Sequence, residues 1–378
     1  MNCIDCSQLI TKLNDSREHL ILQAAGGRKR VRGVLCRKCN STTGHEWDDE
    51  LARQLAPLCS LFSIKRQRGK VPLQKVTISG QTFYRRFDGV LLPDRPDYKE
   101  IPGDNGAVQV QIQARTIEEA RRMLEGAARK HANIDVKKTL ASVQVEQRYP
   151  TEPAQLDFGG VGGDLAGRSM VKSALCFATS NGVDPQACTD AVSYLKNTTA
   201  DPCFGFYYQR DLLQDRPKAV PLHYLAVSSR GTDGQLLAYV EFFAVYRVVI
   251  RLAQNYTGPD IHAAYAIDPI SGKELDLSFA LALSRADIAA CYEAEYVSSN
   301  SIIAAFHEVM PVAIQNDFNR ELKRVTTAAI KSAWAEVGPV KGEVFTAEHA
   351  KKISQLAAEK CRPFLVSYLI QRRVPITP

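Results

Sequence analysis

The period at which apolar residues recur predicts where the chain is helical and where it is extended. Apolar residues at helical spacing predict a helix over 45–64, with acidic residues in its first turn. From residue 71 the pattern changes to alternation, which predicts a hairpin in 75–92 and a strand at 107–114. A helix is predicted over 116–132, with a threonine at its start.

Longer elements are predicted in the C-terminal part. The glycine-rich stretch that opens 156–178 leads into a predicted helix. Because no lysine-serine/threonine ending follows, a linker or hinge is favoured over a phosphate-binding loop. Two or three long strands are predicted in 220–268. Its most apolar part, 236–253, carries three charges and is therefore read as buried strand and not as a membrane span. Residues 284–374 are predicted to be mostly helical.

These segments predict an α+β fold in three parts. The N-terminal module spans 1–64, a small α+β unit spans 71–150, and an α+β C-terminal domain spans 156–378. The small unit is closed by the segment at 138–149. The C-terminal domain is expected to provide specificity, sensing or dimerisation.

Composition favours an ordinary globular protein of a reducing compartment. Of the 378 residues, 45% are hydrophobic and 24% are charged. The N-terminus has no basic-then-apolar leader, so we expect a cytoplasmic location and reduced thiols. Six of the ten cysteines occur singly and are predicted to be core thiols. They are Cys59, Cys176, Cys188, Cys203, Cys291 and Cys361.

The net charge of +7 is concentrated near the N-terminus. Residues 1–70 contain 13 Lys/Arg against 7 Asp/Glu, whereas the rest contains 35 against 34. The excess predicts a polyanionic partner for the N-terminal module, and a solvated basic surface is the alternative. The basic tail at 63–70 is interpreted as a linker or a loop that faces nucleic acid.

The other four cysteines form two Cys-x-x-Cys pairs. Cys3, Cys6, Cys36 and Cys39 provide four soft thiolates, which suit tetrahedral Zn²⁺. A site of four protein ligands has no open position, so this zinc is predicted to be structural.

Residues inside and just after the zinc motif have the chemistry of a metal-dependent nuclease. His19 can act as a general base, because its pKa lies near neutrality. The Glu18 carboxylate and the Asn40 amide oxygen suit Mg²⁺ or Mn²⁺.

The residues "EH…GG…VRGVLCRKCNSTTG" resemble the HNH, or ββα-metal, endonuclease family, and within it the phage recombination endonuclease VII type. The resemblance covers about the first 60 residues. It implies a treble-clef-like module in which the four cysteines bind zinc, His19 is the general base, and Glu18 and Asn40 bind the catalytic metal. Two departures are the acid, which is more often Asp, and Val31, where many members have asparagine.

Further residues of the module are candidate contacts. His45 is interpreted either as an additional metal or phosphate contact or as a cap of the next helix. A basic cluster that flanks the predicted site is the candidate for phosphate contact. It consists of Arg28, Lys29, Arg30, Arg32, Arg37 and Lys38.

The sequence therefore predicts a metal-dependent HNH endonuclease that cuts DNA, with structural Zn²⁺ and catalytic Mg²⁺ or Mn²⁺. A bacterial or phage defence role, or a restriction-type role, fits this layout. Cleavage of RNA, a homodimer through the C-terminal region and a small-molecule activator are left open, and no membrane partner is expected. The alternative is a non-catalytic zinc-finger module that binds nucleic acid and is fused to a larger sensor or scaffold domain.

Overall fold

The computed structural model of the protein describes residues 2–66, 71–103, 108–143, 149–230 and 232–372. Helices and strands both contribute, so the predicted mixed helix and sheet fold is confirmed. The strands are β1 (Glu18–His19), β2 (Arg30–Val31), β3 (Gln74–Ile78), β4 (Gln81–Arg85), β5 (Leu91–Pro93), β6 (Asp97–Pro102), β7 (Val108–Gln113), β8 (Gln155–Leu156), β9 (Phe204–Phe206), β10 (His223–Ser228), β11 (Leu236–Phe242), β12 (Tyr246–Ala253), β13 (His262–Ile267) and β14 (Glu274–Leu275). The helices are α1 (Arg37–Thr43), α2 (Asp49–Leu61), α3 (Ile117–Lys130), α4 (Val136–Ala141), α5 (Asp164–Ser180), α6 (Thr189–Lys196), α7 (Arg285–Tyr292), α8 (Ser299–Val337) and α9 (Ala347–Gln371).

The chain divides into two compact units, each made of two sequence segments. The first unit comprises Met1–Val71 and Phe158–Phe318, and the second comprises Pro72–Asp157 and Asn319–Pro378. The predicted three-part division stays a prediction, since a compact unit is not by itself an independently folding domain.

A six-stranded antiparallel sheet forms the core of the first unit. Its strand order is β14-β13-β10-β11-β12-β9. Four of these strands lie in 220–268, where two or three were predicted. The turn between β11 and β12 contains Phe243 and Ala244, with φ of 58° and 60°. Because both residues are apolar, this turn gives no glycine or polar signal in the sequence.

Helix α5 packs against this sheet and is enclosed by protein. Residues 166–179 of α5 are all buried, as is every position of β10 and β11. The predicted helix in 156–178 is thus confirmed, and the predicted buried strands of 236–253 are β11 and β12. The six single cysteines are all buried, as expected of core thiols. No helix among the described residues combines the length and apolar character needed to cross a bilayer.

A buried arginine fixes α5 against the end of α6. Arg168 is 2% exposed, and its guanidinium donates to the carbonyls of Leu195 and Asn197, each at 3.2 Å. It also donates to Asp164 at 3.0 Å. The last carbonyls of a helix lack partners within the helix, so this side chain satisfies the end of α6.

The second unit contains the predicted hairpin and the predicted capped helix. Strands β3 and β4 pair around Gly80, whose φ is +75°, within a sheet of order β5-β4-β3-β8. Strands β6 and β7 form a separate ribbon. Thr116 accepts a hydrogen bond from the Glu119 N–H at 3.1 Å, at the start of α3. Of the segment 138–149, the beginning lies in α4 and residues 144–148 fall outside the described residues.

The chain is helical from Arg37 to Leu61, because α1 and α2 are joined by a π-helical turn at Gly44–Asp48. The predicted helix over 45–64 is therefore confirmed, but helical structure begins eight residues earlier. In the basic tail, residues 67–70 lie outside the described residues.

Candidate functional site

Four cysteine thiols converge near the N-terminus, as the motif predicts. The sulfur atoms of Cys3, Cys6, Cys36 and Cys39 all lie within 4.8 Å of one another, and those of Cys6 and Cys36 are 3.8 Å apart. Zn–S bonds of about 2.3 Å in a tetrahedron place sulfur atoms about 3.8 Å apart. These residues therefore fit a structural zinc ion. Within the described ranges, no second group of three or more His, Cys, Asp or Glu side chains converges in this way.

Local hydrogen bonds hold the second cysteine pair in place. Cys36 is the N-cap of α1, and its N–H donates to the Cys3 sulfur at 3.3 Å. The preceding loop is fixed by Ser16, whose hydroxyl donates to the Leu35 carbonyl at 2.7 Å. Asp15 accepts from the Gly33 N–H at 2.9 Å. These hydrogen bonds join the chain around Asp15 and Ser16 and the Cys3 sulfur to the residues that lead into α1.

The acid-histidine pair lies on a short hairpin, and the histidine faces an arginine. In the β1–β2 register, His19 is opposite Arg30 and Glu18 is opposite Val31. Arg30 Nε donates to His19 Nε2 at 2.8 Å, which leaves the imidazole proton on Nδ1. Burial, together with the positive charges of Arg30 and Lys172, lowers the pKa of His19 to about 4. His19 is therefore neutral at neutral pH.

Glu18 is paired with a lysine from α5. Its side chain is buried, and Lys172 Nζ lies 2.8 Å from Glu18 Oε1 and 2.6 Å from Asp48 Oδ2. The Ser169 hydroxyl donates to Asp48 Oδ1 at 2.6 Å. Burial works to lower the pKa of Lys172, but the two carboxylates outweigh it and raise the pKa, so the ammonium stays charged. Burial raises the pKa of Glu18, and the attraction of Lys172 opposes that rise.

The remaining predicted residues of the site lie on the α1–α2 segment. Asn40 directly follows Cys39 on α1 and is half-buried. His45 is exposed, and its Nδ1 lies 2.7 Å from the Ser41 carbonyl oxygen. Since His45 lies within a continuous helical run, the interpretation that it caps the start of a new helix is wrong.

The structure does not present Glu18 as an open ligand for a divalent ion. One of its oxygens is engaged by the buried ammonium group of Lys172, and the nearby carboxylate of Asp48 is engaged by the same group. The role of Glu18 and Asn40 as a pair of metal ligands therefore stays a prediction, and in this structure the partner of Glu18 is Lys172.

The six predicted phosphate-contacting residues are all exposed. Arg28 donates to the Ser271 carbonyl at 3.4 Å, Lys29 lies 4.8 Å from the ring centre of Tyr265, and Arg32 pairs with Asp15 at 3.2 Å. Arg37 and Lys38 begin α1, where the helix dipole adds to their positive potential.

Comparison with known proteins supports the nuclease character of this segment. Residues 3–56 match a family model described as HNH endonuclease, so the predicted N-terminal resemblance is confirmed. The match spans the cysteine pairs, the hairpin and α1. Searches of curated proteins and of solved structures gave no match.

Sequence reasoning did not identify Lys172, Ser169 or Asp48 as members of one cluster. A signal was present, because a lysine inside the apolar helical run "MVKSALCFA" is either unusually exposed or buried with a partner. The identity of its partners could not be read from the sequence, since they are more than 120 residues away.

Proposed function

We propose that the protein is an endonuclease that hydrolyses DNA phosphodiester bonds, with residues 3–56 as its catalytic module. The HNH endonuclease match carries this proposal, because it includes both the hairpin of Glu18 and His19 and the helix start of Asn40.

His19 acts as the general base in this proposal. A neutral imidazole has the lone pair needed to accept a proton from water. The pKa of about 4 keeps His19 neutral, but it also makes the imidazole a weaker base than the near-neutral pKa expected from the sequence, and the charge of Arg30 contributes to that lowering. In the free protein Arg30 donates to Nε2 of that ring. A substrate phosphate that attracts Arg30 would release the lone pair, so binding and activation of the base would be coupled.

Cys3, Cys6, Cys36 and Cys39 would hold the structural zinc, which would keep the hairpin and α1 together. A catalytic Mg²⁺ or Mn²⁺, carried over from the resemblance, would stabilise negative charge on the phosphate when bound. Glu18 and Asn40 are the residues that would hold that ion, and one oxygen of Glu18 is paired with Lys172 in the protein without it.

Plasmid cleavage tests this function. Wild type and His19→Ala, at equal zinc content, are incubated with supercoiled DNA and Mg²⁺ or Mn²⁺, and His307→Ala serves as the control because His307 is an exposed histidine of α8. We expect nicking by wild type and His307→Ala and at least about a hundredfold less by His19→Ala. Equal cleavage by all three proteins would exclude His19 as the base.

A non-catalytic nucleic-acid-binding module is the second candidate, and two contacts favour it. Lys172 neutralises Glu18, and Arg30 occupies the lone pair of His19. Wild type that binds DNA but cuts no plasmid, branched DNA or RNA in any of these metals would support this candidate.

The proposal extends to the type of module, the biological role, the oligomeric state and the activation of the protein. A treble-clef-like module of the endonuclease VII type, a cytoplasmic defence or restriction role, a homodimer through the C-terminal region and a small-molecule activator all remain predictions. Activity that appears only after addition of a nucleotide ligand would support an activator.

A further inference from the structure

Lys172 contacts the predicted site from outside the family-matched segment, as does its neighbour Ser169. It lies on α5, within residues 166–179, all of which are buried, whereas the match ends at residue 56. Lys172 itself is 1% exposed at its side chain. Its position is therefore set by the packing of the first unit and not by the flexibility of a surface lysine.

The ammonium group lies between two carboxylates of the module. Glu18 comes from β1 and Asp48 from the turn that joins α1 to α2, and both oxygens are within 2.8 Å of Nζ. Ser169, one helical turn before Lys172, donates to the other oxygen of Asp48. Two elements of the module are thus bridged by two side chains of one helix.

The charges of this cluster determine how Lys172 affects the binding of a divalent ion to Glu18. Two carboxylates and one ammonium leave a formal charge of −1, and one oxygen of Glu18 is already in contact with a cation. A divalent ion that approached Glu18 would be repelled by the ammonium at short range, where the surrounding protein screens the repulsion less than water does.

We propose that Lys172 is a positioning residue of the nuclease site, a built-in counter-cation that holds Glu18 and keeps its affinity for a divalent ion low. This inference rests on the proposed function, because it gives Glu18 the metal-binding role that the resemblance implies. It also assigns to α5 a part in a site that the family motif places wholly within residues 3–56.

Binding of Mn²⁺ tests the inference without any measurement of cleavage. The full-length, zinc-loaded protein is titrated with Mn²⁺, and free Mn²⁺ is followed by electron paramagnetic resonance. We expect Lys172→Met to bind Mn²⁺ at least about tenfold more tightly than wild type, because a contacting positive charge has been removed. A purely structural lysine would give unchanged or weaker binding on substitution.

Three further variants make the result specific. Lys172→Met with Asp48→Asn keeps the formal charge of the cluster at −1 and is expected to bind more tightly than wild type even if the single variant does not fold. Adding Glu18→Gln to Lys172→Met should return the affinity to about the wild-type value. Lys218→Met removes an exposed lysine of the same unit and should leave the affinity unchanged.

Each outcome separates this inference from the proposed function. Unchanged or weaker Mn²⁺ binding in both lysine variants overturns the inference, even if the wild type cuts plasmid. A gain that survives Glu18→Gln also overturns it, because the ion would then lie elsewhere. Tighter binding that requires Glu18 supports it, and absence of cleavage by wild type would then contradict only the nuclease assignment.

Discussion

At Gly27 the backbone passes so close to the segment that follows β1 that no side chain fits. A Cβ atom at this position would lie 1.8 Å from the Ile21 carbonyl oxygen. Gly27 thus permits the tight return of the chain between β1 and β2, and the position of His19 depends on it.

We predict that Gly27→Ala destabilises the module by at least about 2 kcal/mol, because the clash is with backbone and cannot be relieved by a rotamer change. Thermal unfolding and zinc content measure the effect. Gly44→Ala is the matched control. Gly44 has helical φ and ψ, and its Cβ would meet only Asp48 Oδ2 at 3.9 Å. A stability equal to or slightly above wild type is expected for the control, and a similar loss in both variants would contradict the steric argument.

His223 is a second residue whose environment defines its chemistry. It is fully buried on β10, its Nε2 lies 2.8 Å from the Ala25 carbonyl, and its Nδ1 accepts from the Phe243 N–H at 3.2 Å. Nε2 therefore carries the proton and donates to Ala25, which fixes the loop after β1 to the sheet. Burial lowers the pKa of His223 to about 4.

This lowered pKa predicts a loss of stability in mild acid. Above the unfolded-state pKa of about 6.5, His223 is neutral in both states and its contribution is fully present. As the pH falls towards 4 the unfolded chain binds a proton that the folded one does not, so stability is lost. Between pH 7.5 and 5 the loss from His223 is about 2 kcal/mol. Urea unfolding of His223→Gln, which keeps one donor and one acceptor, should show a pH dependence smaller by that amount.

At the scale of elements, the zinc motif stabilises a segment that is too short to build a core of its own and that shares the core of the first unit. Cys39→Ser should lower the bound zinc well below one ion per chain and abolish amide protection in residues 2–66, while β10–β12 stay protected. Hydrogen exchange with mass spectrometry distinguishes these regions. Cys59→Ser is the control, since Cys59 is a buried thiol outside the converging group, and full zinc occupancy is expected. Loss of zinc in the control would show that any buried thiol disturbs the module.

Some elements of the fold could be predicted from the sequence and others could not. The hairpin β3–β4, the strand β7 and the capped helix α3 could be predicted, because their period, turn glycine and cap are local signals. The turn at Phe243–Ala244 could not, because its unusual φ values are imposed by the sheet and not by its residue types. The zinc thiols could be predicted from spacing, whereas the pairing of Glu18 with Lys172 depends on tertiary packing.

At the scale of the whole molecule, the uneven charge predicts how binding responds to salt. If the basic cluster contacts phosphates, Arg37→Gln with Lys38→Gln should reduce the slope of log K against log salt by about two for duplex DNA. Fluorescence anisotropy at several salt concentrations measures the slope.

Lys218→Gln with Arg230→Gln removes the same charge from exposed positions outside the cluster and should leave the slope nearly unchanged. Equal slopes for both double variants would mean that net charge, and not the cluster, governs binding.

The contact between Asp48 and Lys172 joins residues 124 positions apart, and this separation has a consequence during synthesis. At about 5–20 residues per second, Lys172 is made roughly 6–25 s after Asp48. During that interval the zinc motif is complete, but Glu18 and Asp48 have no ammonium between them. The ion pairs of Lys172 with Glu18 and Asp48 therefore cannot form until well after the last zinc-motif cysteine has been made, so this part of the site is completed only when α5 has been synthesised.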